Sequence, residues 1–106
     1  MKIALLQLEV LEKNKAANVA NGLQLAAEAA KEHDLLVLPE VWTTGYSLGH
    51  LEQEAETPAS PVLAQLAEIA RNEQCAVLAG SVPMRHADGK IYNTSAAINK
   101  NGEIVN

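Results

Sequence analysis

Residues 34–46 read Asp34-Leu35-Leu36-Val37-Leu38-Pro39-Glu40-Val41-Trp42-Thr43-Thr44-Gly45-Tyr46. The aliphatic run 35–38 has the length of a strand buried on both faces rather than that of a helix. Pro39 brings no N–H to a ladder, so the strand stops there. Glu40 therefore leaves the sheet at the carboxyl end of a buried strand, the edge at which open α/β sheets bind their ligands. Residues 40–57 show no clear period and read as a loop of 18 residues. A structureless loop that long in a small domain is usually functional or mobile.

Upstream, the mostly apolar stretch 2–10 reads as a buried strand. Asn14 can cap a helix in which Val19, Leu23, Ala26, Ala27 and Ala30 share one face. Asn18, Asn21, Gln24, Glu28 and Lys31 take the other. Gly22 weakens that helix slightly. Downstream, Ser60-Pro61 gives a cap and first turn, and Val62, Leu66, Ile69 and Ala70 line the helix that follows. Residues 75–82 read as a third buried strand, and Asp88-Gly89 as a turn. Residues 91–98 and 103–105 read as a hairpin around Asn99-Lys100-Asn101-Gly102. The order is β-α-β-α-β and then a hairpin. This is an α/β fold with its first three strands parallel and its helices as right-handed crossovers.

The chain has 106 residues, 48% of them hydrophobic and 20% charged, which fits one globular domain and excludes a disordered tail. Trp42, Tyr46 and Tyr92 are its only aromatic residues, so Ala, Leu, Val and Ile must build the core. The net charge of −5, with Lys and Arg scattered, argues against nucleic acid and against an anionic membrane surface. Cys75 is the single cysteine and has no internal disulfide partner. The apolar run 3–6 is broken at Gln7 and Glu9, too short for a signal-peptide core, and no later run has the length to span a bilayer. A reducing cytoplasm is the expected location.

Glu40 is the leading chemical candidate. Rigid Pro39 fixes its stem, and apolar neighbours favour the neutral carboxyl, which suits a general base. From spacing alone a solvated loop glutamate is the favoured reading, since one carboxylate is a weak signal. Thr44-Gly45-Tyr46 can shape a pocket wall or form an ordinary turn, and Trp42 can line a pocket or plug the core. Cys75 begins a buried strand with no basic residue near it in sequence, which reads as a small buried hydrophobe. His33, His50 and His86 fall in loops or at helix ends. His50 with Glu52, Glu54 and Glu56 lacks zinc-ligand spacing and reads as a solvated acidic loop, so no metal site is expected. Asn93-Thr94-Ser95 fits the glycosylation pattern, but in a predicted strand of a chain with no secretion signal it is not read as an acceptor. No phosphate-cradling glycine loop follows the first strand.

Asp34-Leu-Leu-Val-Leu-Pro-Glu40, followed by Thr44-Gly45-Tyr46, resembles the glutamate motif of the nitrilase (carbon-nitrogen hydrolase) superfamily. Lys2-Ile-Ala-Leu-Leu-Gln7-Leu8 is similar to that family's first strand, and Ala79-Gly80-Ser81 to its third. Tyr92-Asn93-Thr94 before Asn101-Gly102 is similar to its strand-and-hairpin region. The likeness runs in order through essentially the whole chain. It implies part of an α-β-β-α sandwich and hydrolysis of a small non-peptide amide by Glu, Lys and Cys, without metal or cofactor. Glu40 corresponds to the general base, and Trp42 and Tyr46 are pocket candidates. The family lysine is expected beyond Asn106 and the cysteine further on. Lys100 and Cys75 match neither.

The resemblance thus makes residues 1–106 the N-terminal part of a single hydrolase domain, inactive by itself and homo-oligomeric when complete. It also implies an apolar sheet face left open where a second sheet would lie. Two other readings stay open: a non-catalytic interaction module or subunit of a split enzyme, and an unrelated α/β binder in which Glu40 is structural.

Overall fold

The computed structural model describes residues 1–46 and 51–105. Its elements are β1 (Ile3–Leu5), α1 (Lys15–Ala30), β2 (Leu35–Val37), α2 (Leu51–Glu54), α3 (Pro61–Glu73), β3 (Ala76–Arg85) and β4 (Ile91–Ile98). One four-stranded sheet runs in the order β1-β2-β3-β4. The first three strands are parallel, and β4 returns antiparallel to β3.

Both long helices start where the sequence places their caps. Asn14 Oδ1 accepts the Ala17 N–H, and Ser60 Oγ accepts the Leu63 N–H ahead of Pro61 in the first turn. Capping oxygens satisfy donors that the first turn leaves free. Helix α3 ends on Gln74 in the left-handed conformation, φ 54°. Helix α1 packs on β2 and α3, and α3 also covers β3 and β4.

Strand side chains alternate between faces, and the register sorts them into two rows. Leu36, Val77 and Ile98 stand side by side, fully buried with Ala26, Ala30, Leu66 and Ala70 of the helices. The other row joins Ile3 to Leu35 and Ala76, and Leu5 to Val37, Leu78 and Ala97. In that row Ile3, Leu5 and Leu78 are 52%, 73% and 44% exposed. One sheet face is therefore sealed by helices, and the other presents an open aliphatic surface. An environment-sensitive hydrophobic dye is expected to bind the purified 106-residue chain; a monomer that leaves the dye dark would show the face is not available in solution.

The strands differ in length from their sequence reading. Only residues 3–5 of the stretch 2–10 form β1, because β2 ends before Pro39 and offers no longer edge. A last bond, Leu6 N–H to Val37 O at 2.9 Å, closes the pair. Strand β3 runs on to Arg85 because β4 pairs with it across the Asp88-Gly89 turn, so the hairpin is β3–β4. The predicted strand 103–105 is reduced to one bridge, Ile98 to Ile104. Asn99 Oδ1 accepts the N–H groups of both Asn101 and Glu103 at 3.0 Å, and this side-chain turn takes up backbone that a longer ladder would use. The loop 40–57 holds a turn over 40–46 and the short helix α2.

Candidate active site

Four hydrogen bonds clamp the segment after β2 onto β3. Leu38 N–H donates to Leu78 O at 3.0 Å, and Ser81 N–H to Pro39 O at 3.3 Å. Val41 N–H donates to Ser81 Oγ at 2.9 Å, and the Trp42 indole N–H to Ala79 O at 2.9 Å. The ladder between β3 and β4 shifts register between Leu78 and Ser81, which frees β3 to make these contacts. Gly80 lies inside the shift at φ +67°, where a Cβ would stand 2.1 Å from Pro39 O. Only glycine allows that approach.

Val41, next to Glu40, is also left-handed, at φ 44°. For a β-branched residue this costs about 1–3 kcal/mol, and such strain persists only where the surroundings impose it. The Ser81 hydroxyl binds its N–H. Its carbonyl accepts from Gly45 at 2.8 Å and from Thr44 at 3.3 Å. The turn that carries Glu40 is thus held from both ends.

Glu40 is exposed and opens onto a cavity of about 210 Å³ whose other walls include Tyr46, Pro83, Tyr92 and Asn93. Its Oε1 accepts from Asn93 Nδ2 at 3.3 Å. Tyr46 lies in the wall but is 70% exposed, with its backbone N–H on Glu12 Oε1 at 3.2 Å. Tyr92 donates its hydroxyl to Asp88 Oδ2 at 2.6 Å and meets the His86 ring edge-on, centroids 4.9 Å apart.

The phenol holds the Asp88 carboxyl below the usual carboxylate range, with help from the Lys90 N–H. The carboxylate in turn pushes the Tyr92 phenol up. Asp88 stabilises the fold above its unfolded pKa, and that contribution is lost as pH falls through its lowered folded value. The Tyr92 contribution is present below the ordinary phenol value and is lost as pH rises through its raised folded value. In a Tyr46→Phe background, which leaves one tyrosine, Asp88→Ala is expected to lower the midpoint of the ultraviolet phenol titration. An unmoved midpoint would mean the bond is not formed in solution.

Trp42 does not line this cavity. It is fully buried, its indole N–H is taken by Ala79 O, and its ring lies where a Cβ on Gly22 would come within 2.3 Å. Gly22 is therefore a seat for the indole rather than a weak point of α1. Cys75 is buried at the amino end of β3, opposite the edge that Glu40 occupies, since Ala76 pairs with Leu35 at the start of β2. Burial pushes its thiol up, and Asp34 and Glu73 add to the shift, which makes it a poor nucleophile. His33 Nδ1 lies 2.7 Å from Ala29 O, and His86 Nε2 lies 2.9 Å from Thr94 Oγ1. His50 is outside the described residues. Glu52 pairs with Arg85, while Glu56 is buried, pairs with Lys15 and accepts the Ser60 hydroxyl at 2.6 Å. Glu56 also bridges to β3 through its backbone, so it anchors the far end of the loop.

Sequence reasoning singled out Glu40 and Tyr46 but gave no role to Ser81, Asn93 or Asn18. Asn18 is buried and ties the Leu11 backbone to Thr43 O, joining α1 to the turn. Its place on the polar side of α1 gave no sign of this.

The model of the carbon-nitrogen hydrolase family matches residues 2–106. The chain belongs to the carbon-nitrogen hydrolase family. It is 31% identical over 103 residues to the 2-oxoglutaramate amidase of Bacillus subtilis, covering 97% of this chain and 39% of that protein. It is 38% identical over 94 residues to nitrilase homolog 2 of Dictyostelium discoideum, covering 87% of this chain and 29% of that one. Among solved structures, Saccharomyces cerevisiae Nit3, of the nitrilase superfamily, superposes with a TM-score of 0.87 at 29% identity, over all of this chain and 42% of Nit3. The chain thus spans well under half the length of these relatives. No helix among its described residues is long and apolar enough to cross a membrane.

Proposed function

We propose that residues 1–106 are the N-terminal part of an amidase-type carbon-nitrogen hydrolase domain, and that Glu40 is its general base. The observation that carries the reading is the clamp: β3 holds a strained turn so that one carboxylate opens onto a cavity at the carboxyl edge of the sheet. The name of the Bacillus subtilis relative points to a small carboxamide as substrate. In this reading a cysteine and a lysine lie on chain outside the 106 residues. Glu40 takes the thiol proton as sulfur bonds to the amide carbon, while the lysine stabilises the oxyanion. The C–N bond then breaks and the amine or ammonia leaves with that proton. Glu40 next takes a proton from water as its oxygen attacks the thioester, and the acid and free thiol are released.

The 106 residues alone are then inactive, because Cys75 is buried at the wrong end of the sheet. Assembly into homo-oligomers, a cytoplasmic location, and Tyr46 as a contact for substrate belong to the same proposal. The open aliphatic sheet face favours a second reading, an interaction half that completes a split enzyme. Ammonia release from a panel of small amides tests both. The product of the full reading frame is expected to be active and the 106-residue chain silent; hydrolysis by the short chain that depends on Cys75 would overturn the assignment.

A further inference from the structure

We infer that Asn93 is a positioning residue for Glu40, holding one carboxylate oxygen so that the other is presented to the cavity. This rests on Glu40 being the base. The two residues are 53 apart in sequence, yet β3 locates both. The stem of Glu40 is tied to Ser81 through both Pro39 and Val41, while Asn93 is paired with Pro83. Donor and acceptor are thus registered to Ser81 and Pro83, two residues apart on one strand. The strand segment that carries Asn93 is itself held beside it, by the Tyr92–Asp88 bond and by the contact of His86 with Thr94.

The chemistry of the donor suits the task. An exposed glutamate samples several rotamers, and a base that must meet a nucleophile and then a water gains from being restricted to one. A lysine or arginine would also restrict it, but would favour the ionised carboxylate strongly and blunt its affinity for a proton. A neutral amide orients with a smaller effect of that kind. Among the described residues no cation is paired with Glu40, and Oε1 alone is engaged. The Asn93 amide stands at the surface and has the Glu40 carboxylate as its partner.

Side-chain NMR of the isotopically labelled 106-residue chain tests this without any turnover. The Asn93 Nδ2 protons are expected to move with pH as Glu40 titrates, and to lose that response in Glu40→Gln. Scalar couplings along Glu40 should report one dominant rotamer. Asn93→Asp, which keeps the shape and loses the donor, and Asn93→Ala should each at least halve that rotamer's population, with the backbone amides of α1 and α3 unmoved. Asn93→Gln, which keeps the donor, should recover part of it. If neither Asn93→Asp nor Asn93→Ala changes the Glu40 couplings, Asn93 is only a strand residue and the positioning role falls, while Glu40 as base stands. If Glu40→Gln leaves amide hydrolysis by the full-frame enzyme intact, the base reading falls and takes the catalytic sense of the bond with it.

Discussion

Gly80→Ala is expected to be the most damaging single substitution in the chain. The added Cβ would stand 2.1 Å from Pro39 O and 2.8 Å from Leu38 O, both backbone atoms of the segment that follows β2. Neither can yield without breaking the Leu38–Leu78 and Ser81–Pro39 bonds that join β2 to β3. The left-handed φ adds about 1–2 kcal/mol for any residue with a side chain. Together, clash, strain and lost bonds place the loss at about 4–5 kcal/mol or more, a large share of what a domain of this size possesses. Gly89→Ala is the control. Gly89 has a similar φ of +82°, but nothing lies within 4 Å of its added Cβ, so only the conformational cost of about 1–2 kcal/mol applies. Urea melts of the two variants separate contact from conformation. Equal losses would mean that the close approach of Gly80 to Pro39 contributes nothing.

Gly80 also shows where the sequence stops being readable. The elements written in local chemistry were legible: the aliphatic run of β2 and its proline stop, the asparagine and serine caps, and the parallel order of the first three strands. Glu40 could be placed at the sheet edge because Pro39 fixes where β2 ends. The features that decide the site's geometry are contacts between distant segments, and they leave no local pattern. A glycine inside a strand pattern can signal a bulge, but which carbonyl fills the space of its missing side chain depends on Pro39, some 40 positions earlier. The same holds for Trp42. Its aromatic ring suits a pocket or a core equally well in sequence, and only the empty position at Gly22 and the acceptor at Ala79 O turn it inward. The single-bridge pairing at Ile104 went unread because the competing bonds come from the Asn99 side chain, whereas Asn-Gly favours a hairpin turn.

Glu40→Gln is expected to remove turnover from the full-frame enzyme while leaving the fold untouched. A positioned general base is worth roughly 10²–10⁴ in rate, and in the proposed mechanism Glu40 would act in both halves of the reaction, so kcat should fall by about 10³ or more. KM should change little, because an interaction that matters only at the transition state does not weaken ground-state binding. The side chain is exposed, which keeps the effect on stability within about 0.5 kcal/mol. Glutamine retains an oxygen at the place where Asn93 donates, so the side chain can keep its orientation while losing its capacity to take a proton. Loss of kcat in this variant therefore reports proton acceptance rather than misplacement. Glu40→Asp asks the complementary question. It keeps the acid but withdraws it by one methylene from both Asn93 and the cavity, so it should retain more activity than glutamine and less than the parent. If Glu40→Gln keeps kcat within tenfold, Glu40 is a loop carboxylate whose turn β3 happens to brace, and the base must be sought elsewhere in the domain. If aspartate and glutamine are equally dead, reach matters as much as charge, and the strained Val41 turn is what sets it.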